Sequence, residues 1–102
     1  MSDYRIVCTT QIPADAHPRN ANIVAVGTGT EPDRADTRWT VPEVIAAMDR
    51  GDRFYTKGKA SGLVAWVVKY WCSICGDWHI RSEADATLEN NLDYLRACSW
   101  RS

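Results

Sequence analysis

Several short segments of the chain alternate between apolar and polar residues, which is the pattern of strands with one buried face. The segment 4–9 alternates weakly, 22–27 is mostly apolar, and 63–71 is the longest segment of this kind. Two further segments, 53–56 and 77–82, have the same character. We therefore predict strands at 4–9, 22–27, 53–56, 63–71 and 77–82. Trp66 and Trp78 are expected to lie in the core.

One helix is predicted where the apolar spacing changes. Thr40 and Glu43 have the spacing of a capping box, in which each side chain binds the other residue's backbone amide, and Pro42 suits the first turn. Apolar residues then recur at the helical spacing, at Val41, Val44, Ile45 and Met48. Gly51 can take the left-handed conformation that closes a helix, so we predict a helix at 41–50.

The remaining segments and the composition complete the expected fold. Residues 11–20 and 28–38 are polar and contain proline, which predicts exposed loops, and 83–102 predicts a short helix or an ordered extended segment. Apolar residues make up 45% of the chain and charged residues 25%, as in ordinary globular proteins. We predict a single α+β domain over 1–102, in the order β-β-α-β-β-β. Its mainly antiparallel sheet of about five strands carries one helix on a face.

The order of motifs along the chain carries a resemblance to a known family. The motifs are Tyr4-Arg5-Ile6-Val7-Cys8, Ile23-Val24-Ala25-Val26-Gly27, Trp39-Thr40-Val41, Gly51-Asp52-Arg53-Phe54-Tyr55-Thr56, Ile80-Arg81-Ser82, Asp85-Ala86-Thr87 and Asn90-Asn91-Leu92-Asp93-Tyr94-Leu95. This set covers nearly the whole chain and is similar to that of the short bacterial and phage-associated proteins catalogued as domain of unknown function 3892. The resemblance implies a stand-alone domain with the family's fold, and it implies no activity.

Four cysteines are the sharpest chemical feature: Cys8, Cys72, Cys75 and Cys98. The chain starts without the apolar run of a signal peptide, and no segment is apolar enough to cross a membrane. We therefore expect a cytoplasmic protein with reduced thiols. Cys72 and Cys75 form a Cys-x-x-Cys motif followed by Gly76, which can take the positive φ that a metal-binding turn often needs.

A structural zinc ion held by Cys8, Cys72, Cys75 and Cys98, with His79 in reserve, is the leading hypothesis for this motif. Two alternatives stay open. Cys8 and Cys98 can be small buried residues beside an exposed Cys72/Cys75 turn, or the cysteines can serve disulfide or redox chemistry.

Catalysis has little support in the sequence. His17 and His79 are each expected to be solvated rather than to act as a general base, and the acidic residues over 83–93 match no known cation-binding loop. We therefore predict no catalytic residue.

Charge is unevenly placed although the net charge is only -1. Residues 50–69 contain five basic residues and one acidic residue, whereas 77–93 contain five acidic residues and one basic residue. Lys57 and Lys59 at a predicted hairpin tip, with Tyr55 and Tyr70 nearby, indicate an alternative function in nucleic-acid binding. Mutual neutralisation of the two segments across the fold is the simpler interpretation.

Five tryptophans in 102 residues is a high count. Trp71 and Trp100 are not assigned to the core, and we predict that they anchor a protein partner. With the small size and the lack of catalytic machinery, they predict a zinc-stabilised protein-interaction module, in bacterial regulation or phage–host conflict.

Overall fold

The computed structural model describes residues 2–11, 23–31, 34–58, 60–73, 76–83, 92 and 95–98. Its elements in chain order are β1 (Asp3–Gln11), β2 (Ile23–Thr28), β3 (Thr37–Thr40), α1 (Val41–Asp49), β4 (Arg53–Lys57), β5 (Val64–Cys72) and β6 (Asp77–Ser82). Within these residues the strands form one six-stranded sheet in the order β3-β2-β1-β4-β5-β6. Neighbouring strands are antiparallel except β1 and β4, which are parallel. The described part of the chain is therefore a small sheet with one helix, and it contains one strand more than predicted.

The additional strand is β3, which lies partly in a segment predicted to be an exposed loop. It pairs with β2, so that Val26 lies opposite Trp39 and Thr28 lies opposite Thr37. Because β3 is at the edge of the sheet, its polar residues face solvent and show no apolar alternation. Trp39 donates its indole N–H to Thr28 Oγ1 at 3.0 Å. The prediction of a loop over 28–38 is therefore wrong at its C-terminal end.

Helix α1 begins at the capping box that the sequence predicts. The backbone N–H of Glu43 donates to Thr40 Oγ1 at 3.3 Å, and the backbone N–H of Thr40 donates to the Glu43 carboxylate at 2.8 Å. The Thr40 backbone N–H, which is the largest cause, and the Thr40 hydroxyl hold the pKa of the Glu43 carboxyl below its ordinary value. Gly51 has a φ of 100°, the left-handed conformation expected after the helix.

The core of the described residues joins α1 to the sheet. Val41, Val44 and Ala47 of α1 share a cluster of buried residues with Ile6, Ile23, Val26, Phe54, Val67, Ile80 and Leu92. The rings of Tyr4, Trp39 and Phe54 extend this cluster, with centroids 5.1 to 5.2 Å apart.

Strand β5 buries the face opposite to the one expected from Trp66. Ala65 and Val67 are buried, whereas Val64 and Val68 are exposed and Trp66 is half-buried beside Tyr55. Both faces of this strand are apolar, so alternation alone does not distinguish them. The expectation that Trp66 lies in the core is therefore wrong.

The C-terminal segment 95–98 lies beside β1. The backbone N–H of Thr9 donates to the carbonyl of Arg96 at 3.0 Å, and the N–H of Cys98 donates to the carbonyl of Thr9 at 2.9 Å. This pairing brings Cys98 next to Cys8, with their Cα atoms 4.9 Å apart, and the two sulfurs form a disulfide.

The disulfide excludes two of the four ligands in the zinc hypothesis. The sulfurs of Cys8 and Cys98 are bonded to each other, so their assignment as metal ligands is wrong. Cys75 and the side chain of Cys72 lie outside the described part of the chain. A metal at these two cysteines therefore stays a prediction.

Candidate interaction surface

Two tryptophans form an exposed pair at the end of the β5–β6 hairpin. Trp71 lies directly opposite Trp78 in the ladder, and their rings meet edge to face with centroids 5.5 Å apart. The exposed fractions are 54% for Trp71 and 43% for Trp78. Exposed apolar side chains that adjoin one another, unlike single ones, mark candidate interaction sites. Trp71 is thus accessible to another molecule.

Trp78, like Trp66, is predicted from the sequence to lie in the core, and that prediction is wrong. It lies on the core face of β6 with Ile80, as the alternation predicts, but Ile80 is fully buried and Trp78 is not. The difference arises because Trp78 is the second residue of β6, next to the turn, and lies at the margin of the face that α1 covers.

A cavity of about 400 Å³ adjoins Trp78 and lies beside α1. Its walls are mostly apolar and come from the start of β2, from α1 and from the start of β6; they include Ile23, Val24, Val41, Pro42, Ile45 and Trp78. Asp49 and Asp77 add carboxylates to this lining. We call Trp71, Trp78 and this cavity the tryptophan surface.

An ion pair holds α1 to the hairpin beside the tryptophan surface. The Lys69 ammonium lies 2.8 Å from the Asp49 carboxylate and 5.1 Å from the ring centroid of Trp78. Both partners are substantially exposed, and such a pair contributes only about 0–1 kcal/mol. Lys69 thus lies close to both Asp49 and Trp78, and its ion pair adds little to the stability of the fold.

The opposite face of the sheet collects the residues of the predicted nucleic-acid site. Tyr55 lies opposite Trp66 and Lys57 lies opposite Val64, so these four residues share one face. Tyr70 shares that face of β5, with the Arg81 guanidinium 5.7 Å from its ring centroid.

Both cations and carboxylates lie on or beside this face. The Arg53 guanidinium lies 4.4 Å from the Trp66 ring centroid and is also bound to Asp3 at 2.9 Å. The Glu83 carboxylate accepts the backbone N–H of Trp66 at 3.1 Å. The face is thus aromatic and of mixed charge rather than strongly basic.

Several predicted site residues fall outside the described chain. They are Trp100, Lys59 and Cys75, together with the side chain of Cys72. Among the described residues there is no group of three or more His, Cys, Asp or Glu side chains placed to hold a metal ion. No helix within the described ranges is long and apolar enough to span a membrane.

Comparison with known proteins adds no family assignment. No protein-family model, no curated protein and no solved structure matches this chain. The resemblance to the family of unknown function 3892 therefore stays a prediction, and any functional conclusion depends on the surfaces described above.

Proposed function

We propose that this domain is a protein-interaction module that binds its partner through the tryptophan surface. The observation that carries the proposal is the exposed edge-to-face pair of Trp71 and Trp78 beside an apolar cavity. Tryptophan is enriched among the residues that dominate binding energy, especially where a pocket lets the partner desolvate it. The pair is already ordered by cross-strand packing, so binding costs little side-chain entropy.

The lining of the cavity indicates what the partner presents. Apolar walls from Val24, Val41 and Ile45 suit one aliphatic or aromatic side chain. The exposed carboxylate of Asp77 also borders the cavity, where a basic group would find opposite charge. The partner we propose is therefore a protein segment with an apolar anchor next to a lysine or arginine.

The test begins with an affinity pull-down from the host of this protein, with and without nuclease, followed by calorimetric titration of the purified partner. Trp71→Ala is expected to weaken binding by about 2 kcal/mol, or roughly 30-fold in Kd. Asp77→Asn is expected to weaken binding more at low salt than at high salt. The matched control is Leu63→Ala, which truncates an apolar side chain that is 55% exposed and directly precedes β5, away from the tryptophan surface.

Two results would contradict the proposal. One is a Trp71→Ala affinity no different from that of Leu63→Ala, with circular dichroism showing both variants folded. The other is a recovered partner that disappears after nuclease treatment, which would favour nucleic acid as the ligand.

Single-stranded nucleic-acid binding is the second candidate, and one observation favours it. Tyr55, Trp66 and Tyr70 share a sheet face with Lys57, and aromatic rings beside cations are the elements on which bases stack and phosphates pair. The ion pair between Arg53 and Asp3 weakens this candidate, because the Asp3 carboxylate neutralises one of the cations on the face.

Fluorescence anisotropy with a labelled single-stranded oligonucleotide tests this second candidate. Lys57→Ala should weaken binding and reduce its salt dependence, whereas Lys69→Ala, which removes the same charge beside the tryptophan surface, should not. Tyr55→Ala should cost about 1–3 kcal/mol if a base stacks there. Equal effects of the two lysine substitutions would exclude the sheet face as the site.

A further inference from the structure

The cavity of the tryptophan surface combines apolar walls with negative charge. Its walls are mainly apolar side chains of β2 and α1, whereas Asp49 and Asp77 add carboxylates to the same lining. The described part of the lining also contains one histidine, His79, and no lysine or arginine. The volume of about 400 Å³ falls within the roughly 300–1,000 Å³ that is usual for ligand sites. This lining suits a group that is apolar along its length and positively charged at one end.

A contact within the chain shows that residues of this lining bind an ammonium group. The Lys69 ammonium lies 2.8 Å from the Asp49 carboxylate and 5.1 Å from the ring centroid of Trp78. Asp49 and Trp78 both line the cavity, whereas Lys69 is not among the described lining residues. The carboxylate attracts the ammonium as an ion pair, and the negative face of the indole ring attracts it as well. A carboxylate and an indole of the lining therefore already bind one alkylammonium group in this fold.

Asp77 is the carboxylate of the lining that this internal ammonium does not neutralise. Its Oδ1 accepts the backbone N–H of Trp78 at 2.8 Å, and among the described residues Asp77 forms no ion pair. The residue is exposed, so a charged group can approach it from solvent. A second cation can therefore pair with Asp77 while Lys69 stays on Asp49. A carboxylate without its own cation beside an apolar cavity favours a positively charged ligand.

We propose that the cavity binds the side chain of a lysine from the partner protein. Lysine buries its four-carbon stem along apolar surface and keeps its ammonium in a polar environment. The stem packs on Val24, Val41 and Ile45, and the ammonium pairs with Asp77 beside Trp78. The apolar and basic groups of the partner are then parts of one side chain. The inference rests on the proposed function for the source of this lysine, but the preference of the cavity is measured without a partner.

The experiment titrates the full chain with Nα-acetyl-lysine methylamide and follows the tryptophan indole N–H signals by NMR. The signal of Trp78, identified by its loss in Trp78→Phe, should shift and saturate. The matched probe is the norleucine analogue, which has an unbranched four-carbon side chain and no charge. We expect the norleucine analogue to bind about 3- to 30-fold more weakly, because it lacks both the ion pair and the cation–π contact. This comparison uses only the wild-type chain, so it does not depend on how well the variants fold.

Two pairs of variants locate the ammonium. Asp77→Asn should weaken binding of the lysine analogue by about two- to fivefold. Asp36→Asn removes the same charge from an exposed residue that does not line the cavity, and it should have no effect. Lys69→Met leaves Asp49 without its ion pair and should tighten binding by up to about fivefold. The control is Lys57→Met, which removes the same charge from the opposite face of the sheet and should change the affinity less.

Several outcomes would overturn the inference. It fails if the norleucine analogue binds as tightly as the lysine analogue, or if Asp77→Asn and Asp36→Asn have equal effects. Tighter binding of the arginine analogue would overturn the choice of lysine, and equal effects of Lys69→Met and Lys57→Met would exclude Asp49 from the site. Failure of the proposed function is distinct from these results, because it is a partner affinity that does not depend on Trp71. A recovered partner without binding of the lysine analogue would overturn this inference alone.

Discussion

Substitution of Gly27 by alanine tests how tightly the sheet packs against the disulfide. Gly27 lies opposite Cys8 in the β1–β2 ladder. A Cβ added there would lie 2.6 Å from Cys8 Sγ, 2.8 Å from Ala35 Cβ and 3.2 Å from Cys98 Sγ. Carbon atoms in favourable contact are about 3.5–4.0 Å apart, so something must move.

Two opposing contributions decide whether Gly27→Ala raises or lowers the free energy of unfolding. Gly27 is not among the described glycines with positive φ, so alanine fits the backbone conformation. Alanine in place of glycine then stabilises by about 0.4–1 kcal/mol through the unfolded chain. Overpacking costs about 1–3 kcal/mol, and the atoms that must move belong to a cross-linked pair of cysteines and to Ala35. We therefore expect a net loss of about 1–2 kcal/mol, taking both terms together.

Urea unfolding followed by tryptophan fluorescence measures this loss. The same substitution in a Cys8→Ala/Cys98→Ala background removes both sulfurs and should cost less, because the contact with Ala35 is then the main one left. The difference between the two backgrounds is the coupling between Gly27 and the disulfide. The reasoning is refuted if Gly27→Ala is neutral or stabilising in the wild-type background, or if the cost is the same in both.

Three further predictions concern stability. The Cys8–Cys98 disulfide joins residues that are 90 positions apart. By the chain-entropy model, Cys8→Ala/Cys98→Ala should lower the free energy of unfolding by about 4–5 kcal/mol, and a loss below about 1 kcal/mol would contradict this expectation. The lowered pKa of Glu43 means that its stabilising effect is complete above the ordinary value of 4.5 and is lost as the pH falls through the lowered folded-state pKa. Urea midpoints of wild type and Glu43→Gln should therefore converge on acidification, and a constant difference would count against the capping role. Gly76→Ala should lower stability by about 1–2 kcal/mol because its φ of 68° is left-handed, which thermal unfolding of the metal-free protein can check.

Features set by neighbouring residues could be predicted from the sequence. The capping box of Thr40 and Glu43 acts within one helical turn, so the spacing alone located the start of α1. Gly51 and Gly76 have the positive φ expected of them, since each follows an element or motif whose end requires it. The five predicted strands are all present, with ends close to those predicted, because alternation is a local property of the chain.

Features set by distant residues could not be predicted in this way. β3 has no apolar face of its own and is a strand because β2 offers it backbone partners. Both faces of β5 are apolar, so the position of α1 decided that Val67 is buried and Trp66 is not.

The candidate sites show the same division between local pattern and tertiary structure. The sequence by itself determined that a cysteine turn lies between Trp71 and Trp78, since the residues concerned are close along the chain. Only the tertiary structure decided that Cys8 pairs with Cys98, because residues separated by 90 positions meet through the backbone pairing of 95–98 with β1. It also decided that Trp78 is exposed while Ile80 is buried, because that depends on how far α1 extends over the sheet.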